Sequence, residues 1–257
     1  MSGLFDLTGK VAIVTGASSG LGVQFARALA KQGASLALVA RRKERLDALA
    51  KELNESGTKA IAIKCDASKE EEIIAAVQTV KEAFGRIDVL VNNAGVAVGE
   101  KAESQTKKDW DFVIDVNVTG VYLFAREVGK IMIEQNYGKI VNIGSLHSNT
   151  VINAAVETIS AYCTSKGAVQ MLTKSLAAEW AKYNITVNAI GPAYFPSEMT
   201  AGATSNDGFK QFVGMRCPMG RFGRDGELDG ALIYFSSDAS SYTTGQLLNV
   251  DGGWNTI

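Results

Sequence analysis

The chain has 257 residues, of which 46% are hydrophobic and 21% are charged, and its formal net charge is −1 at pH 7. This composition is typical of a soluble globular protein with a large core and excludes a disordered or fibrous chain. Acidic and basic residues are interspersed, so no basic surface is expected for nucleic acid or for an anionic membrane, and neither is predicted as a partner.

No apolar stretch reaches the roughly 18 residues that a membrane-spanning helix needs, and the first ten residues lack the basic-then-apolar pattern of a signal peptide. We therefore expect a cytoplasmic protein. The three cysteines, Cys65, Cys163 and Cys217, are widely spaced and form no metal-binding pattern, and His147 is the only histidine. The sequence predicts free thiols and no metal site, with Cys163 interpreted as a small hydrophobic residue rather than a redox group.

Seven short runs of apolar, largely β-branched residues recur along the chain, as expected for strands buried on both faces of a sheet. In chain order they are Val11 to Val14, Leu36 to Val39, Ala60 to Ile63, Val89 to Val91, Ile140 to Ile143, Thr186 to Ala189 and Leu247 to Val250. Stretches with apolar residues at helical spacing separate them. This alternation predicts the α/β class, as a single domain over residues 1–257 with a doubly wound, seven-stranded parallel sheet flanked by helices.

The least regular region, residues 191–219, contains all three prolines of the chain. Ligands bind sheets of this kind beyond the carboxyl ends of the strands, and irregular segments at that edge often cover them. Residues 191–219 are therefore predicted to form a substrate loop or mobile lid.

A glycine-rich segment, Thr15 to Gly22, follows the first strand and leads into a helix. Glycines there allow a tight turn and let the backbone approach a pyrophosphate, while the free N–H groups at the helix start attract the anion. A glycine-rich loop alone also fits a plain strand-to-helix turn. Its position between a strand, a helix and a second strand favours dinucleotide binding.

The second strand ends at Ala40, Arg41 and Arg42, where an NAD site would carry an acidic residue for the adenine ribose. An uncharged residue followed by arginine leaves room for a 2′-phosphate and supplies a guanidinium to pair with it, which predicts NADP(H). The alternative is that both arginines form a solvated helix start. Asp66, after the third strand, is a candidate partner for the adenine amino group or, like Ser68, a helix N-cap.

Tyr162 and Lys166 are four residues apart and therefore share one face of a predicted helix. A nearby ammonium favours the phenolate, but lowering a phenol pKa by about three units needs about 4 kcal/mol, which requires partial exclusion of water. Ser145, after the fifth strand, either orients a substrate oxygen or caps a turn. Asn117 either relays protons from Lys166 through water or bridges backbone groups.

Together these motifs resemble the short-chain dehydrogenase/reductase family over essentially the whole chain. The matching segments are Thr15 to Gly22, Asn92 to Gly95, Asn117, Ser145, the Tyr162/Lys166 pair and Asp251 to Gly253. The resemblance implies a Rossmann fold and a catalytic tetrad of Asn117, Ser145, Tyr162 and Lys166. Tyr162 is then the general acid or base, and Lys166 also holds the nicotinamide ribose.

The cofactor site that follows from the motifs and the resemblance extends over several loops. Its predicted residues are Gly16, Ser18, Ser19, Gly20, Leu21, Gly22, Arg41, Arg42, Asp66, Ala67, Asn92, Ala94, Gly95, Tyr162, Lys166, Pro192, Phe195 and Ser197. Two positions depart from the family pattern. Ala193 replaces a glycine after Pro192, and Ser197 replaces the threonine that binds the carboxamide.

The substrate pocket is predicted at the nicotinamide end of the cleft. Its candidate residues are Val96, His147, Glu157, Tyr194 and Met199, with Phe195 beside them. His147 is interpreted as a pocket-lining side chain without chemistry, the alternative being substrate binding or proton transfer. Residues 157–162 and 191–194 look like the gluconate 5-dehydrogenase branch of the family, while a 3-oxoacyl carrier-protein reductase, a hydroxysteroid dehydrogenase or a broad ketone reductase shares the same scaffold.

The expected activity is hydride transfer between NADP(H) and a ketone or secondary alcohol, with Tyr162 handling the proton. The resemblance also implies a homotetramer that pairs through two long amphipathic helices, Trp110 to Ile133 and Ala161 to Tyr183. The alternative from another class is a sensor or scaffold that binds NADP(H) without turnover. An intact Tyr162/Lys166 pair favours the enzyme.

Overall fold

The computed structural model describes residues 3–152 and 158–256, and in that part of the chain seven strands form one sheet. The strands are β1 (Val11–Thr15), β2 (Ser35–Ala40), β3 (Ala60–Lys64), β4 (Val89–Asn92), β5 (Gly138–Ile143), β6 (Ile185–Pro192) and β7 (Leu247–Val250). All seven predicted strands are present, and the structure extends most of them by one to three residues.

The sheet has the order β3-β2-β1-β4-β5-β6-β7, and every neighbouring pair is parallel. The chain therefore winds outward in one direction from β1 to β3 and in the other from β4 to β7. Such a reversal opens a crevice above the carboxyl ends of the two central strands, β1 and β4. The predicted doubly wound α/β fold is confirmed.

The helices cover both faces of this sheet. They are α1 (Gly20–Lys31), α2 (Lys43–Glu55), α3 (Glu70–Phe84), α4 (Lys107–Ile114), α5 (Gly120–Gln135), α6 (Ser160–Trp180), α7 (Ala201–Ser205), α8 (Asp207–Arg216) and α9 (Asp229–Ser236). The short helices α7 and α8 lie in the region predicted as a lid.

Alternate residues of each central strand divide between two cores, since successive side chains of a strand point to opposite faces. In β1, Ala12 and Val14 pack with α1, α2 and α9. Val11 and Ile13 pack instead with α3, α5 and α6. All these side chains are buried, which explains why the strands read as continuous apolar runs rather than as alternating patterns.

The helical path from Lys107 to Gln135 is not a regular α-helix. A π-helical turn, Asp115–Thr119, separates α4 from α5 and contains Asn117. The sequence pattern predicted one amphipathic helix through this region and did not indicate the turn. Turns of this type insert an extra residue into a helix and occur frequently at functional sites.

Candidate active site

A cleft of about 430 Å³ opens beyond the carboxyl ends of the central strands. It brings together most of the predicted site residues, which come from seven different segments of the chain. Those lining it are Gly16, Ser18, Ser19, Gly20, Leu21, Arg41, Arg42, Asp66, Ala67, Ala94, Gly95, Val96, Ser145, Tyr162, Lys166, Pro192, Phe195, Ser197 and Met199. Glu157, a predicted pocket residue, falls outside the described residues.

The segment from Thr15 to Gly22 forms one end of the cleft. Gly16 and Gly20 adopt left-handed conformations, with φ of 67° and 53°, which residues with a side chain rarely adopt. Ser19 precedes α1 in an extended conformation, and its hydroxyl accepts a hydrogen bond of 2.6 Å from Arg42 instead of capping the helix. The N–H groups of the first turn of α1 therefore face the cleft, in the arrangement that binds phosphate.

Gly22, predicted to contact the cofactor, does not line the cleft. A Cβ atom added there would lie 2.2 Å from the carbonyl oxygen of Gly16. This glycine allows the first turn of α1 to pack directly against the phosphate loop. Gly22 therefore supports the loop through packing, and its contact with the cofactor stays a prediction.

Asn92 is also absent from the cleft. It is the last residue of β4, and its buried amide donates a 3.0 Å hydrogen bond to Oδ1 of Asn142 in the neighbouring strand. The next residue, Asn93, lines the cleft and donates from Nδ2 to the carbonyl of Thr15 at 2.9 Å. Thr15 Oγ1 in turn accepts the backbone N–H groups of Asn93 and Ala94. Thr15 and Asn93, which the sequence reading missed, fix the phosphate loop to the end of β4.

The two arginines after β2 have different environments. Arg41 is exposed at the cleft, whereas Arg42 donates from Nε to Ser18 Oγ at 3.1 Å and from Nη1 to Glu198 at 2.9 Å. The interpretation of both as a merely solvated helix start is therefore wrong for Arg42. Glu198 lies in the loop after β6 and was not predicted as a site residue.

Asp66 accepts hydrogen bonds from the backbone N–H and the hydroxyl of Ser68 and so closes the turn before α3. Neither residue is the N-cap of α3, because Lys69 holds that position. Burial raises the pKa of the Asp66 carboxyl, but the hydrogen bonds from Ser68 and the charges of Arg41 and Lys69 outweigh it and lower the pKa overall. The carboxylate lines the cleft in its ionised form.

Helix α6 places Tyr162 and Lys166 one turn apart at the other end of the cleft. The Lys166 side chain is buried, its Nζ donates a 2.7 Å hydrogen bond to the carbonyl of Ile143, and Nζ lies 5.5 Å from the centroid of the Tyr162 ring. Burial lowers the pKa of Lys166 to about 8. Water is thus largely excluded from the ammonium, which is the condition that the predicted lowering of the Tyr162 pKa requires.

Ser145 follows β5 and is 6% exposed, with its hydroxyl at the cleft. Its Oγ accepts a 3.1 Å hydrogen bond from the backbone N–H of His147, and its own N–H donates to Ser148 Oγ. The residue therefore caps the short 3₁₀ turn Leu146–Ser148. The predicted capping role is therefore observed, and orientation of a substrate oxygen by the same hydroxyl stays a prediction.

Asn117 is buried within the π-helical turn and does not line the cleft itself. Its Oδ1 accepts the backbone N–H of Val96 at 2.8 Å, and its Nδ2 donates to the carbonyl of Val96 and to Ser165 Oγ. It therefore bridges backbone groups, and the described contacts leave a water relay from Lys166 as a prediction.

His147 and Tyr194 lie behind the predicted substrate end rather than on the lining of the 430 Å³ cleft. His147 is 5% exposed, its Nε2 is 3.3 Å from the Tyr194 hydroxyl, and its ring meets that of Tyr162 edge-on at 6.3 Å. Burial lowers the pKa of His147, which keeps the ring neutral. Tyr194 lines a separate cavity of about 310 Å³ behind residues 193–195.

No group of three or more His, Cys, Asp or Glu residues that could hold a metal ion occurs among residues 3–152 and 158–256. Over the same two ranges, no helix combines the length and the apolar character needed to cross a bilayer.

Comparison with known proteins places these features in a family. A family model described as enoyl-(acyl carrier protein) reductase matches residues 16–255. Gluconate 5-dehydrogenase of Gluconobacter oxydans (strain 621H) is 38% identical over 250 residues, covering 97% of this chain and 96% of that protein. Galactitol 2-dehydrogenase (L-tagatose-forming) of Cereibacter sphaeroides is 40% identical over 252 residues, covering 98% and 97%.

Among solved structures, a gluconate 5-dehydrogenase from Burkholderia cenocepacia J2315 in complex with NADP and tartrate superposes with a TM-score of 0.95. It is 36% identical and covers 99% of this chain and 98% of that one. The overall fold therefore agrees with that structure over nearly the whole chain. The chain belongs to the short-chain dehydrogenase/reductase family.

Proposed function

We propose that this chain is an NADP(H)-dependent oxidoreductase that interconverts a ketone and a secondary alcohol. One observation carries the proposal: Ser145, Tyr162 and Lys166 meet at one end of the cleft whose other end is the phosphate loop. A dinucleotide that spans this cleft has its pyrophosphate on the loop and its nicotinamide beside the three polar side chains.

The residues present fit such a cofactor. Gly16 and Gly20 are left-handed and place no side chain at these two positions of the loop, and a Cβ at Gly20 would lie 3.1 Å from Ser197 Cβ. The N–H groups at the start of α1 would hold the pyrophosphate, and Arg41 with Arg42 would hold a 2′-phosphate. Because β2 ends in Ala40 rather than an acidic residue, NADP(H) is favoured over NAD(H).

The cofactor, when bound, supplies the hydride in reduction and accepts it in oxidation. The Tyr162 hydroxyl gives its proton to the carbonyl oxygen as that oxygen becomes an alcohol, and it takes the proton back in the reverse direction. Lys166 favours the phenolate through its charge, which the surrounding protein shields little because the side chain is buried. Ser145 accepts the N–H of His147, which leaves its own hydrogen to orient the substrate oxygen.

We further propose a polyhydroxylated substrate, a sugar acid or a polyol, on the basis of the relatives named above. Val96 and Met199 line the cleft that would hold the substrate. Residues 191–219 would cover the substrate as a loop or lid. The predicted alternatives, a 3-oxoacyl thioester and a hydroxysteroid, use the same chemistry.

A cytoplasmic homotetramer is the assembly that we propose. Its support is the apolar surface of α4, α5 and α6, where Trp110, Phe112, Tyr122 and Met171 are 38%, 41%, 43% and 64% exposed. These side chains lie on the helices that the family resemblance assigns to subunit pairing.

The test is Tyr162→Phe, with Tyr242→Phe as the matched control because Tyr242 is fully exposed far from the cleft. Reduction of 5-keto-sugar acids, ketoses, β-keto esters and aryl ketones would be followed by loss of NADPH absorbance. Tyr162→Phe is expected to lower kcat at least about 100-fold while the Kd for NADPH stays within about three-fold. Equal turnover in Tyr162→Phe and the parent would contradict the mechanism. NADPH binding without turnover of any substrate in the parent would favour the sensor.

A further inference from the structure

The carboxylate of Glu198 occupies the rim of the cleft where the phosphate loop meets the start of α2. It accepts a hydrogen bond from Arg42 Nη1 at 2.9 Å and from Arg45 Nη1 at 2.5 Å, and it is also hydrogen-bonded by Ser19. These three donors belong to two segments that are distant in sequence, and Glu198 joins both to the loop after β6. The Glu198 carboxylate therefore occupies donors that could otherwise bind an anion from solution.

The Arg42 guanidinium forms hydrogen bonds with both the phosphate loop and Glu198. Its Nε and Nη2 donate to the hydroxyls of Ser18 and Ser19 in the phosphate loop, and its Nη1 donates to Glu198. Every nitrogen of the group therefore has a partner within the protein. These contacts use three of the five N–H donors of the group, so a phosphate that pairs with Arg42 either shares the guanidinium with Glu198 or displaces it.

Glu198 remains ionised under all ordinary conditions. Hydrogen bonds from Arg45, and then from Arg42 and Ser19, lower the pKa of its carboxyl to about 2. A phosphate monoester carries about −1.5 to −2 charges at neutral pH, so it competes strongly for a guanidinium but is repelled by a carboxylate that stays beside it.

We propose that Glu198 competes with the 2′-phosphate of the cofactor for Arg42 and thereby sets how strongly the enzyme selects NADP(H) over NAD(H). This inference rests on the proposed function. On binding, the 2′-phosphate takes over the Nη1 edge of Arg42, and Glu198 keeps its contact with Arg45. Because Glu198 belongs to the 193–200 loop, the exchange leaves that loop held to α2 by Arg45 alone, so recognition of the adenosine end is coupled to the segment above the substrate.

Glu198→Gln tests the competition directly, because glutamine keeps the shape and loses the charge. Calorimetric titration with adenosine 2′,5′-bisphosphate and with 5′-AMP isolates the adenosine half from catalysis. We expect Glu198→Gln to bind the bisphosphate about 5- to 30-fold more tightly than the parent does, because the 2′-phosphate gains Arg42 and is no longer repelled by the Glu198 carboxylate. The affinity for 5′-AMP, which has no 2′-phosphate, should change by less than about three-fold. The gain should shrink in about 0.5 M NaCl, where exposed charges are screened.

Glu227→Gln is the matched control. Glu227 is also an exposed glutamate bound by a guanidinium, with Arg221 donating to both of its oxygens at 2.8 and 2.7 Å, but it lies beside the second cavity. Removing the charge of Glu227 should change neither the affinity for adenosine 2′,5′-bisphosphate nor the affinity for 5′-AMP. Equal affinity of the parent and Glu198→Gln for the bisphosphate would overturn the inference, as would an equal gain for 5′-AMP.

The two proposals fail in different ways. If the parent binds NADPH but Glu198→Gln leaves the ratio of the NADPH and NADH Kd values unchanged, the competition is refuted and the oxidoreductase proposal stands. If neither the parent nor the variant binds NADPH or the bisphosphate, the proposed function is contradicted and the inference falls with it. Binding that appears only in Glu198→Gln supports the inference in its strongest form.

Discussion

Replacing Lys166 by Met should change how the stability of the nucleotide-free protein depends on pH. Burial lowers the pKa of Lys166 from 10.5 to about 8, and each pKa unit is worth about 1.36 kcal/mol, so the buried ammonium destabilises the fold by about 3 kcal/mol. Below about pH 8 both the folded and the unfolded chain hold the proton, and the whole penalty is present. Between pH 8 and 10.5 only the unfolded chain holds it, so the free energy of unfolding rises with pH in this window.

The assay is urea unfolding of the parent and Lys166→Met at about pH 7.5 and about pH 10.5, without nucleotide. The parent should gain about 3 kcal/mol relative to the variant over this interval. Other groups also titrate differently in the folded protein, such as Cys65, where burial raises the pKa to about 12. Their contributions to the pH dependence cancel in the comparison, because both proteins contain them. If the difference between the two proteins is the same at both pH values, the ammonium is not desolvated and the account of how Lys166 acts on Tyr162 is wrong.

Two further predictions concern the loop and the opposite edge of the sheet. Gly22→Ala places a Cβ atom 2.2 Å from the Gly16 carbonyl oxygen, so it should lower the free energy of unfolding by about 1–3 kcal/mol and weaken NADPH binding at least about ten-fold. Gly230→Ala, whose Cβ meets no atom within 4 Å, serves as its control, and equal NADPH affinity in the two variants would refute the packing argument. Asp88→Asn should lower stability by about 2 kcal/mol, because the buried carboxylate accepts bonds from Arg86. It should leave kcat unchanged, since Asp88 precedes β4 at the edge away from the cleft, and a large fall in kcat at full folding would contradict that placement.

The fold and the broad outline of the site could be predicted from sequence because both depend on local patterns. Strands of a parallel sheet are covered on both faces, so Val11 to Val14 in β1 and Leu36 to Val39 in β2 read as unbroken apolar runs, and the carboxyl ends of such strands mark the binding edge. The spacing of Tyr162 and Lys166 follows from helix geometry alone. These predictions needed no information about which segments meet.

The errors occurred where tertiary contact decides the role of a residue. Asn92 and Asn93 are adjacent and chemically identical, but the first ends β4 facing Asn142 and the second turns into the cleft. The pattern of β4, three apolar residues followed by two asparagines, does not indicate which asparagine faces the cleft. Glu198 offered no signal either, since its contact with Arg42 spans 156 positions and the residue stands in a loop without periodicity.

The π-helical turn between α4 and α5 has a consequence for variation in chain length. Removing one residue within 115–119 would leave a hydrogen-bonded helix intact, because the extra residue of the turn is what a regular α-helix lacks. A π-helical turn takes up its extra residue by widening locally, so the segments before and after the deletion would keep nearly the same relative orientation. The widened turn that lets Asn117 bridge the backbone N–H and carbonyl groups of Val96 would be lost, however. A change that secondary structure tolerates would thus disturb the position of Asn117, so the length of this helix is constrained independently of its composition.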